Sequence, residues 1–246
     1  MSSPDVPSLS DHESAEFDAL WEHVDAVPGW LKRDQARLLF EHARRLPPSA
    51  RVLEIGSHQG RSTLVLAKAV EPLGGKVICI DPFVDGRLFG GVPTRSKFER
   101  NVDAAGVQHL VELVPDYSTR LRPGWSEPFD LLYIDGKHDY WTLSDDLRWS
   151  EHLPEGGAVL VHDAYSSIGV TLGILAHVLP SPTLRYVLRS DSMALFFRSR
   201  PSWQDRLRII GEMPWWVRNV FVKVLLRLRL RPLARLLDHD SPYDPY

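Results

Sequence analysis

The stretch VLEIGSHQGRST at residues 52–63 is the part of the sequence that indicates the fold most directly. Its apolar start predicts a buried strand, and the glycines at positions 56 and 60 predict a tight turn that leads into a helix. Such a turn leaves helix N-terminal amide groups pointing into the crevice at the strand ends, where ligands bind in open α/β sheets. His58 stands where a middle glycine of the G-x-G-x-x-G pattern would be, which counts against NAD as the ligand.

Around this stretch, short β-branched runs alternate with longer amphipathic segments, which predicts a parallel α/β sheet. The strands are predicted at residues 51–55, 76–80, 110–114, 129–134 and 158–162, and the helices at 61–72, 94–105, 140–153 and 168–179. The last two runs, 184–189 and 193–198, are too close together for a parallel crossover, so we expect them to pair antiparallel. The expected fold class is a Rossmann-like, seven-stranded, mostly parallel sheet with an antiparallel last strand.

Helices are also predicted outside the sheet, at residues 13–25 and 33–46 and near the C-terminus. We therefore divide the chain into an N-terminal helical cap (1–47), an α/β domain (48–200) and a basic amphipathic C-terminal tail (201–246).

The composition is that of one globular protein, with 246 residues of which 43% are hydrophobic and 25% charged. The single cysteine, Cys79, lies in an apolar run, which excludes a disulfide framework. The first residues lack the basic and apolar regions of a secretory signal, so we expect a cytoplasmic protein. Residues 203–246 hold eight Lys and Arg against five Asp and Glu, which leaves a net charge of −6 on the rest of the chain and argues against nucleic acid as a partner.

An acid marks the end of the second predicted strand, where Asp81 is followed by Pro82 and Phe83. An acid at this place accepts hydrogen bonds from both hydroxyls of an adenosine ribose, and Phe83 is placed to lie against adenine. At the end of the first strand, Glu54 either orders the turn or meets the positive end of a ligand. The glycine turn and the acid, in this order and about 25 residues apart, together favour a nucleoside cofactor.

The fourth and fifth predicted strands also end in acids, Asp135 and Asp163. Neighbouring parallel strands bring both to the same edge of the sheet, facing the crevice. Two converging carboxylates repel unless a cation or a proton lies between them, and Mg²⁺ fits because it takes oxygen ligands and keeps several waters. His138, three residues beyond Asp135, is placed to act as a general base.

These motifs carry a family resemblance. Over residues 27–170 the chain resembles a large bacterial family of class I S-adenosylmethionine-dependent methyltransferases, whose members share a Pro-Gly-Trp segment (28–30), a Glu-Ile-Gly-Ser turn (54–57), an Ile-Asp-Pro strand end (80–82) and an Ile-Asp-Gly-x-His signature (134–138). It is similar, more distantly, to catechol O-methyltransferases and to the metal-dependent sugar O-methyltransferases of macrolide biosynthesis.

The resemblance implies S-adenosylmethionine as the cofactor. Glu54, Gly56, Ser62 and Asp81 would hold its methionine and ribose portions, and the stretch 116–118 would lie near adenine. Together with the residues of the motifs themselves, the predicted cofactor site comprises Glu54, Gly56, Ser57, Gly60, Ser62, Asp81, Phe83, Asp116 and Tyr117.

The resemblance also assigns catalytic roles. In the resembling sugar enzymes the Asp-x-x-His spacing of Asp135 and His138 supplies a metal ligand and a base, whereas catechol enzymes have a lysine in place of the histidine. His162 stands where the sugar enzymes have a second acid, and Ala164 where the catechol enzymes have asparagine. Two possibilities therefore remain. In one, His162 is the third metal ligand, which suits a softer ion such as Mn²⁺. In the other, the mechanism uses no metal and depends on His138 alone.

The expected function is O-methylation of a hydroxyl on a sugar, a glycoside or another small molecule. Two rivals remain open. One is a hydroxylase on the same fold, with His138, His162 and Asp163 as a non-haem iron centre. The other is a catalytically silent scaffold that recruits partners through the basic tail.

The loop 83–93 and the acidic residues 145–146 lie near the predicted site in sequence. The loop 83–93, rich in glycine and aromatic residues, is predicted to act as a lid, with Phe89, Trp30 and Tyr165 as an apolar wall. Acidic residues 145–146 are read as a solvated helix face.

In the tail, basic residues recur every four positions along one predicted helix over 215–235; they are Lys223, Arg227, Arg231 and Arg235. This pattern favours equally an interfacial membrane helix and a helix packed on the body or on a second subunit. In the first case the protein would lie at the inner membrane face, and a glycolipid or a lipid-linked sugar is a plausible acceptor.

Overall fold

A computed structural model describes residues 9–85 and 90–237 of the chain. Its centre is one seven-stranded sheet in the order β3-β2-β1-β4-β5-β7-β6. The strands are β1 (Arg51–Ile55), β2 (Lys76–Ile80), β3 (Val111–Val114), β4 (Leu131–Ile134), β5 (Ala158–Val161), β6 (Leu184–Ser190) and β7 (Met193–Arg198). The first five pair parallel, and β7 lies antiparallel between β5 and β6. The predicted fold class is confirmed.

Helices cover both faces of the sheet, which is why its central strands are apolar on both sides. The helices are α1 (Asp11–Asp25), α2 (Arg33–Ala43), α3 (Arg61–Val70), α4 (Gly91–Ala104), α5 (Ser118–Leu121), α6 (Tyr140–Asp146), α7 (Ile168–Gly173), α8 (Trp203–Gly211), α9 (Met213–Arg227) and α10 (Arg231–Arg235). Phe17 and Phe40 of the N-terminal helices belong to the same core cluster as Leu66 and Val77. On the opposite face, Trp149 is fully buried in a second cluster.

The N-terminal helices are tied to the start of α3 by Arg61. Its guanidinium donates to the carbonyl oxygens of Leu31 (3.0 Å) and Val27 (2.6 Å) and to the Asp25 carboxylate (2.6 Å). The same group lies 4.9 Å from the ring of Trp21. This anchoring fixes the segment 28–31 against the turn after β1.

Two predicted helices are shorter than expected. The segment 140–153 is α-helical only to Asp146 and continues as 3₁₀ turns over Leu147–His152, and the segment 168–179 changes to a π turn over Ile174–Val178. Sequence periodicity over so few residues does not separate 3.0, 3.6 and wider repeats. The two helices pack closely because Gly173 has no side chain: a Cβ there would lie 2.7 Å from Leu143.

The sequence predicts a tail helix that Pro232 kinks or ends, and the structure breaks that helix shortly before the proline. The helix α9 ends at Arg227, Arg229 has a left-handed φ of 60°, and α10 begins at Arg231 with Pro232 in its first turn. Proline excludes helical continuation because its ring clashes with the carbonyl four residues earlier. The expected stacking of basic residues from 223 to 235 along one helix face is therefore wrong.

Among the described residues, no helix has both the length and the apolarity needed to cross a membrane.

Candidate active site

A cleft of about 600 Å³ opens at the carboxyl ends of β1, β2, β4 and β5. The strand order reverses between β1 and β4, and open α/β sheets bind ligands at such a switch point. Trp30 and Leu31 from the N-terminal segment form part of its wall. The cleft therefore brings residues of the N-terminal segment together with residues at the ends of the strands.

The turn after β1 requires glycine at position 56. Its φ is 88°, and a Cβ there would lie 2.3 Å from the carbonyl oxygen of Asp135. Gly60, with a φ of 90°, forms the N-cap of α3. The close approach at Gly56 joins the turn directly to the end of β4.

We call Gly56, Ser57 and Asp81 the nucleoside half of the cleft, which all three line. The Asp81 carboxylate accepts hydrogen bonds from the backbone N–H groups of Ser57 (3.0 Å) and His58 (2.9 Å) through Oδ2, and of Phe83 (2.8 Å) through Oδ1. These bonds fix the orientation of the carboxylate, and Oδ1, which accepts only one of the three, keeps acceptor capacity for a ligand hydroxyl.

Glu54 lies behind this turn. It is fully buried and accepts short hydrogen bonds from the hydroxyls of Ser62 and Thr63, both 2.5 Å. Burial raises the pKa of Glu54 above its ordinary value, against the effect of these hydroxyls. Of the two roles that the sequence allowed, ordering the turn is the one that these contacts serve.

The other predicted cofactor residues divide between the cleft and its surroundings. Ser62 and Tyr117 line the cleft, whereas Gly60 and Asp116 are not among the described lining residues. Asp116 instead accepts from the backbone N–H of Tyr117 and pairs with Arg120. Phe83 is buried with its ring 6.0 Å from that of Phe98, so the expectation that it lies against adenine is wrong.

The structure adds Asp146 to the site, where the sequence indicated a solvated helix face. It lines the cleft, is only 1% exposed, and accepts a hydrogen bond of 2.6 Å from the Ser118 hydroxyl. Burial raises the pKa of Asp146 from 3.8 to about 7. Its burial depends on Ser118 of the four-residue α5 that follows β3, a contact for which the sequence has no periodic signal.

Four side chains, Asp135, His138, His162 and Asp163, meet at the ends of β4 and β5; we call them the carboxylate–imidazole cluster. His162 Nδ1 lies 3.1 Å from Asp135 Oδ1 and 3.6 Å from Asp163 Oδ2, and His138 Nδ1 lies 3.2 Å from Asp163 Oδ2. All four line the cleft. The structure thus unites the predicted catalytic and metal residues.

Neighbouring groups orient this cluster. The hydroxyl of Tyr133 donates to Asp135 Oδ2 (3.0 Å), and that of Ser166 donates to Asp163 Oδ1 (3.2 Å). Asp163 itself has a left-handed φ of 54°, a strained conformation that is typical of functional sites. The Ser167 hydroxyl donates to the His138 carbonyl (3.2 Å), which fixes the loop that carries the histidine.

Gln35 from α2 determines the tautomer of His162. Its Nε2 donates to the Ser192 hydroxyl (3.0 Å), so its Oε1 faces His162 Nε2 at 3.2 Å and accepts a hydrogen bond from the N–H at that position. A neutral His162 would then present the Nδ1 lone pair to Asp135 and Asp163. This arrangement is repulsive unless a cation lies between them.

The pKa values reflect the same demand for positive charge. Burial alone would raise the pKa of Asp135, but His162 and His138 lower it well below its ordinary value. Burial would lower the pKa of His162, yet Asp135 and Asp163 raise it far above its usual range. A second proton on the imidazole thus serves as the cation when no metal is bound.

The donor set fits a divalent metal ion. Ligand atoms of Asp135, His138 and His162 lie within 4.8 Å of one another. Within the described part of the chain, neither the buried His162 Nδ1 nor Asp163 Oδ2 has a hydrogen bond of normal geometry. Imidazole nitrogen beside carboxylate oxygen suits Mn²⁺ or Fe²⁺ better than Mg²⁺.

The predicted apolar wall is incomplete. Trp30 lines the cleft beside His58, with the ring centres 5.3 Å apart, but Tyr165 is fully buried and packs against Tyr186. Phe89 lies outside the described residues.

Comparison with known proteins agrees with this architecture. Residues 53–164 match a family model described as a methyltransferase domain. A putative O-methyltransferase from Klebsiella pneumoniae is 19% identical, with 81% of this chain and 91% of that chain covered and a TM-score of 0.56. The O-methyltransferase TomG from Streptomyces achromogenes, solved in complex with S-adenosylmethionine, is 20% identical over 78% and 91%, with a TM-score of 0.53.

The S-adenosylhomocysteine-bound methyltransferase PaMTH1 from Podospora anserina is 15% identical, with 81% of this chain and 100% of that chain covered and a TM-score of 0.59. Two other similar structures are described as rRNA methylases, one of them putative. Because all these identities are low, they show the fold and not the acceptor. The comparisons show that the chain has the Rossmann-like fold that these methyltransferases share.

Proposed function

We propose that the protein is an S-adenosylmethionine-dependent O-methyltransferase that uses a divalent metal to methylate a hydroxyl of a small molecule; of Mg²⁺ and Mn²⁺, the imidazole ligands favour Mn²⁺. The observation that carries the proposal is the carboxylate–imidazole cluster, which shares one cleft with the nucleoside half. A base and acidic ligands next to a methyl-donor pocket are what hydroxyl methylation requires.

In this proposal Asp81 accepts hydrogen bonds from the ribose hydroxyls, held in place by the backbone N–H groups of Ser57, His58 and Phe83. Asp146 and Ser118 lie in the same cleft, on the side of α5, and offer hydrogen-bonding groups to adenine. Gly56 lets the backbone approach the methionine portion closely. The cofactor supplies an electrophilic methyl group.

Asp135, Asp163 and His162 would hold the ion, which when bound lowers the pKa of an acceptor hydroxyl and orients it. His138 takes the hydroxyl proton as the oxygen attacks the methyl carbon. S-adenosylmethionine, when bound, would supply the methyl group, and its carbon–sulfur bond would break as the new oxygen–carbon bond forms. The carboxylates around His138 raise its pKa against the opposing effect of burial, which makes it a stronger base.

A sugar or glycoside hydroxyl is the preferred acceptor, by analogy with enzymes that have histidine in place of lysine. The carboxylate–imidazole cluster, which lines its end of the cleft with polar side chains, is compatible with a ligand that carries several hydroxyls.

The test is His138→Ala with metal content, cofactor affinity and turnover measured on the same sample. Loss of a general base predicts a fall in turnover of about 10² to 10⁴-fold, with S-adenosylhomocysteine affinity and bound metal unchanged. Loss of metal together with turnover would make His138 a ligand instead of the base. Calorimetry that detects no binding of S-adenosylmethionine to the parent protein would favour the silent scaffold.

The presence of two imidazoles beside carboxylates also supports the hydroxylase alternative, in which His138, His162 and Asp163 hold Fe²⁺. Anaerobic loading with Fe²⁺ followed by an oxygen-consumption assay separates the two functions. Oxygen uptake that depends on His162, without methyl transfer, would select the hydroxylase.

A further inference from the structure

The helices α8 to α10 each carry exposed apolar side chains, which together we call the tail face. In α9 these residues recur at positions 217, 221, 224 and 228, the spacing of one helical stripe. The tail face comprises Trp203, Leu207, Ile210, Val217, Phe221, Val224, Leu228, Leu233 and Leu236. Trp203 is 68% exposed, Phe221 61% and Leu228 63%. Large apolar side chains exposed along one face of a helix mark an interaction surface.

The charges on this segment are almost all positive. Residues 203–237 contain eight Lys and Arg but only two acids, Asp205 and Glu212. Both acids serve the interior: Asp205 is buried and caps α8 through Ser202, and Glu212 accepts from Tyr186 and Arg189. The exposed basic residues beside the apolar stripe are Arg208, Arg227, Arg229, Arg231 and Arg235.

The opposite side of α9 is fixed to the protein. Asn219 and Val222 are buried, and the Asn219 side chain donates to the carbonyl of Tyr165 (3.0 Å). The ring of Trp215 lies between the guanidinium groups of Arg189 (4.4 Å) and Arg218 (4.7 Å). The orientation of the helix is therefore set by internal contacts, and the apolar stripe is directed outward.

We propose that the tail face docks flat on an anionic phospholipid bilayer, with its aromatic and aliphatic side chains in the interface and its arginines against lipid phosphates. An apolar stripe bordered by arginines, with tryptophan and phenylalanine among its members, is what an interfacial helix requires. A two-fold contact between two copies would instead bring the same basic borders together.

The experiment is co-sedimentation of the full-length protein with vesicles of phosphatidylcholine alone or mixed with phosphatidylglycerol. We expect binding to the mixed vesicles only, weakened by added salt. Val217→Ser, Phe221→Ser and Leu228→Ser together should abolish it; all three positions are exposed, so the fold should be retained. Arg227→Gln, Arg231→Gln and Arg235→Gln together should weaken it roughly fivefold for each arginine removed.

The matched control is Trp141→Ser, which removes an aromatic side chain that is 79% exposed on α6 and should leave vesicle binding unchanged. Equal binding to neutral vesicles, or equal loss in the control, would overturn the proposal. Sedimentation equilibrium of the same variants gives the competing result: a parent dimer that the serine variant converts to monomer, without vesicle binding, would identify a second copy as the occupant. None of these measurements depends on methyl transfer.

Discussion

Asp81 follows β2 and Asp135 follows β4, on either side of β1, yet their carboxylates have different partners. Asp81 accepts three hydrogen bonds from backbone N–H groups, which do not titrate and do not move independently of the turn. Asp135 faces imidazoles and a tyrosine hydroxyl, and its neighbour Asp163 has a buried oxygen without a normal hydrogen bond among the described residues.

The different partners of the two carboxylates determine what each half of the cleft can bind. A carboxylate held by main-chain donors is preorganised for a neutral ligand with hydroxyl groups, because its charge is already stabilised. A cluster whose charges balance only when an imidazole carries a second proton is suited to a metal ion, which competes with that proton. The following variants break one half of the cleft at a time.

The largest effect is expected from Asp135→Asn, which removes a charged ligand from the carboxylate–imidazole cluster. Turnover should fall on the order of a thousandfold and bound metal should be lost, while S-adenosylhomocysteine affinity changes little, because the metal supplies several kcal/mol to the transition state. The control is Asp130→Asn at the other end of β4, where the carboxylate accepts a hydrogen bond from the Arg51 backbone (2.8 Å). Full turnover in Asp135→Asn would exclude a metal-dependent mechanism at this site.

The second effect concerns Asp146, the buried acid that adjoins the nucleoside half. Its folded pKa of about 7 lies above the ordinary 3.8, so between these values the folded protein keeps a proton that the unfolded chain has released. Stability should therefore fall as pH rises through this window, by up to about 4 kcal/mol. Asp146→Asn should remove that slope and be more stable than the parent near pH 8, as measured by urea unfolding across the window.

Asp103→Asn on the exposed side of α4 is the control for loss of one carboxylate and should keep the parent slope. An Asp146→Asn profile parallel to that of the parent would show that Asp146 titrates normally.

Asp135 and Asp146 show how far the sequence could predict the site. Strand-end acids such as Asp135 could be placed because a buried apolar run ends abruptly at them, and parallel strands share one edge. Asp146 could not, since its burial depends on Ser118 in the four-residue α5, which is too short to have a periodicity. Phe83 failed for a related reason: its φ of 42° turns the side chain into the core, and backbone conformation in a loop is not encoded by polarity.

The third effect is on cofactor binding. Asp81→Asn keeps one acceptor oxygen but places an amide NH₂ against backbone N–H donors, so the affinity for S-adenosylhomocysteine should fall about 10- to 100-fold. Bound metal should stay at the parent level, because Asp81 is not part of the carboxylate–imidazole cluster. Calorimetry and metal analysis on one preparation check both. A loss of metal with intact cofactor affinity would reverse the roles of the two halves.

The smallest effect is expected at Gln35, which tests how the carboxylate–imidazole cluster is oriented. Gln35 lies 127 positions from His162 in sequence, so no local pattern could connect the two residues. Its Oε1 accepts from His162 Nε2 and so leaves Nδ1 to face the carboxylates. Gln35→Leu removes this acceptor and should weaken metal binding about tenfold, the lower end for a group that orients a ligand. Gln35→Glu keeps an acceptor oxygen and should restore most of the affinity.

The leucine variant loses the hydrogen bond to Ser192, whereas in the glutamate variant the Ser192 hydroxyl can donate to the second carboxylate oxygen. The leucine variant also loses the acceptor for the Lys32 backbone at the start of α2, and thermal unfolding measures that contribution separately. If the two variants bind metal equally poorly, the packing of α2 matters and the acceptor does not. If only the leucine variant is impaired, the N-terminal helices belong to the active site, because they determine which nitrogen of His162 is available to the cation.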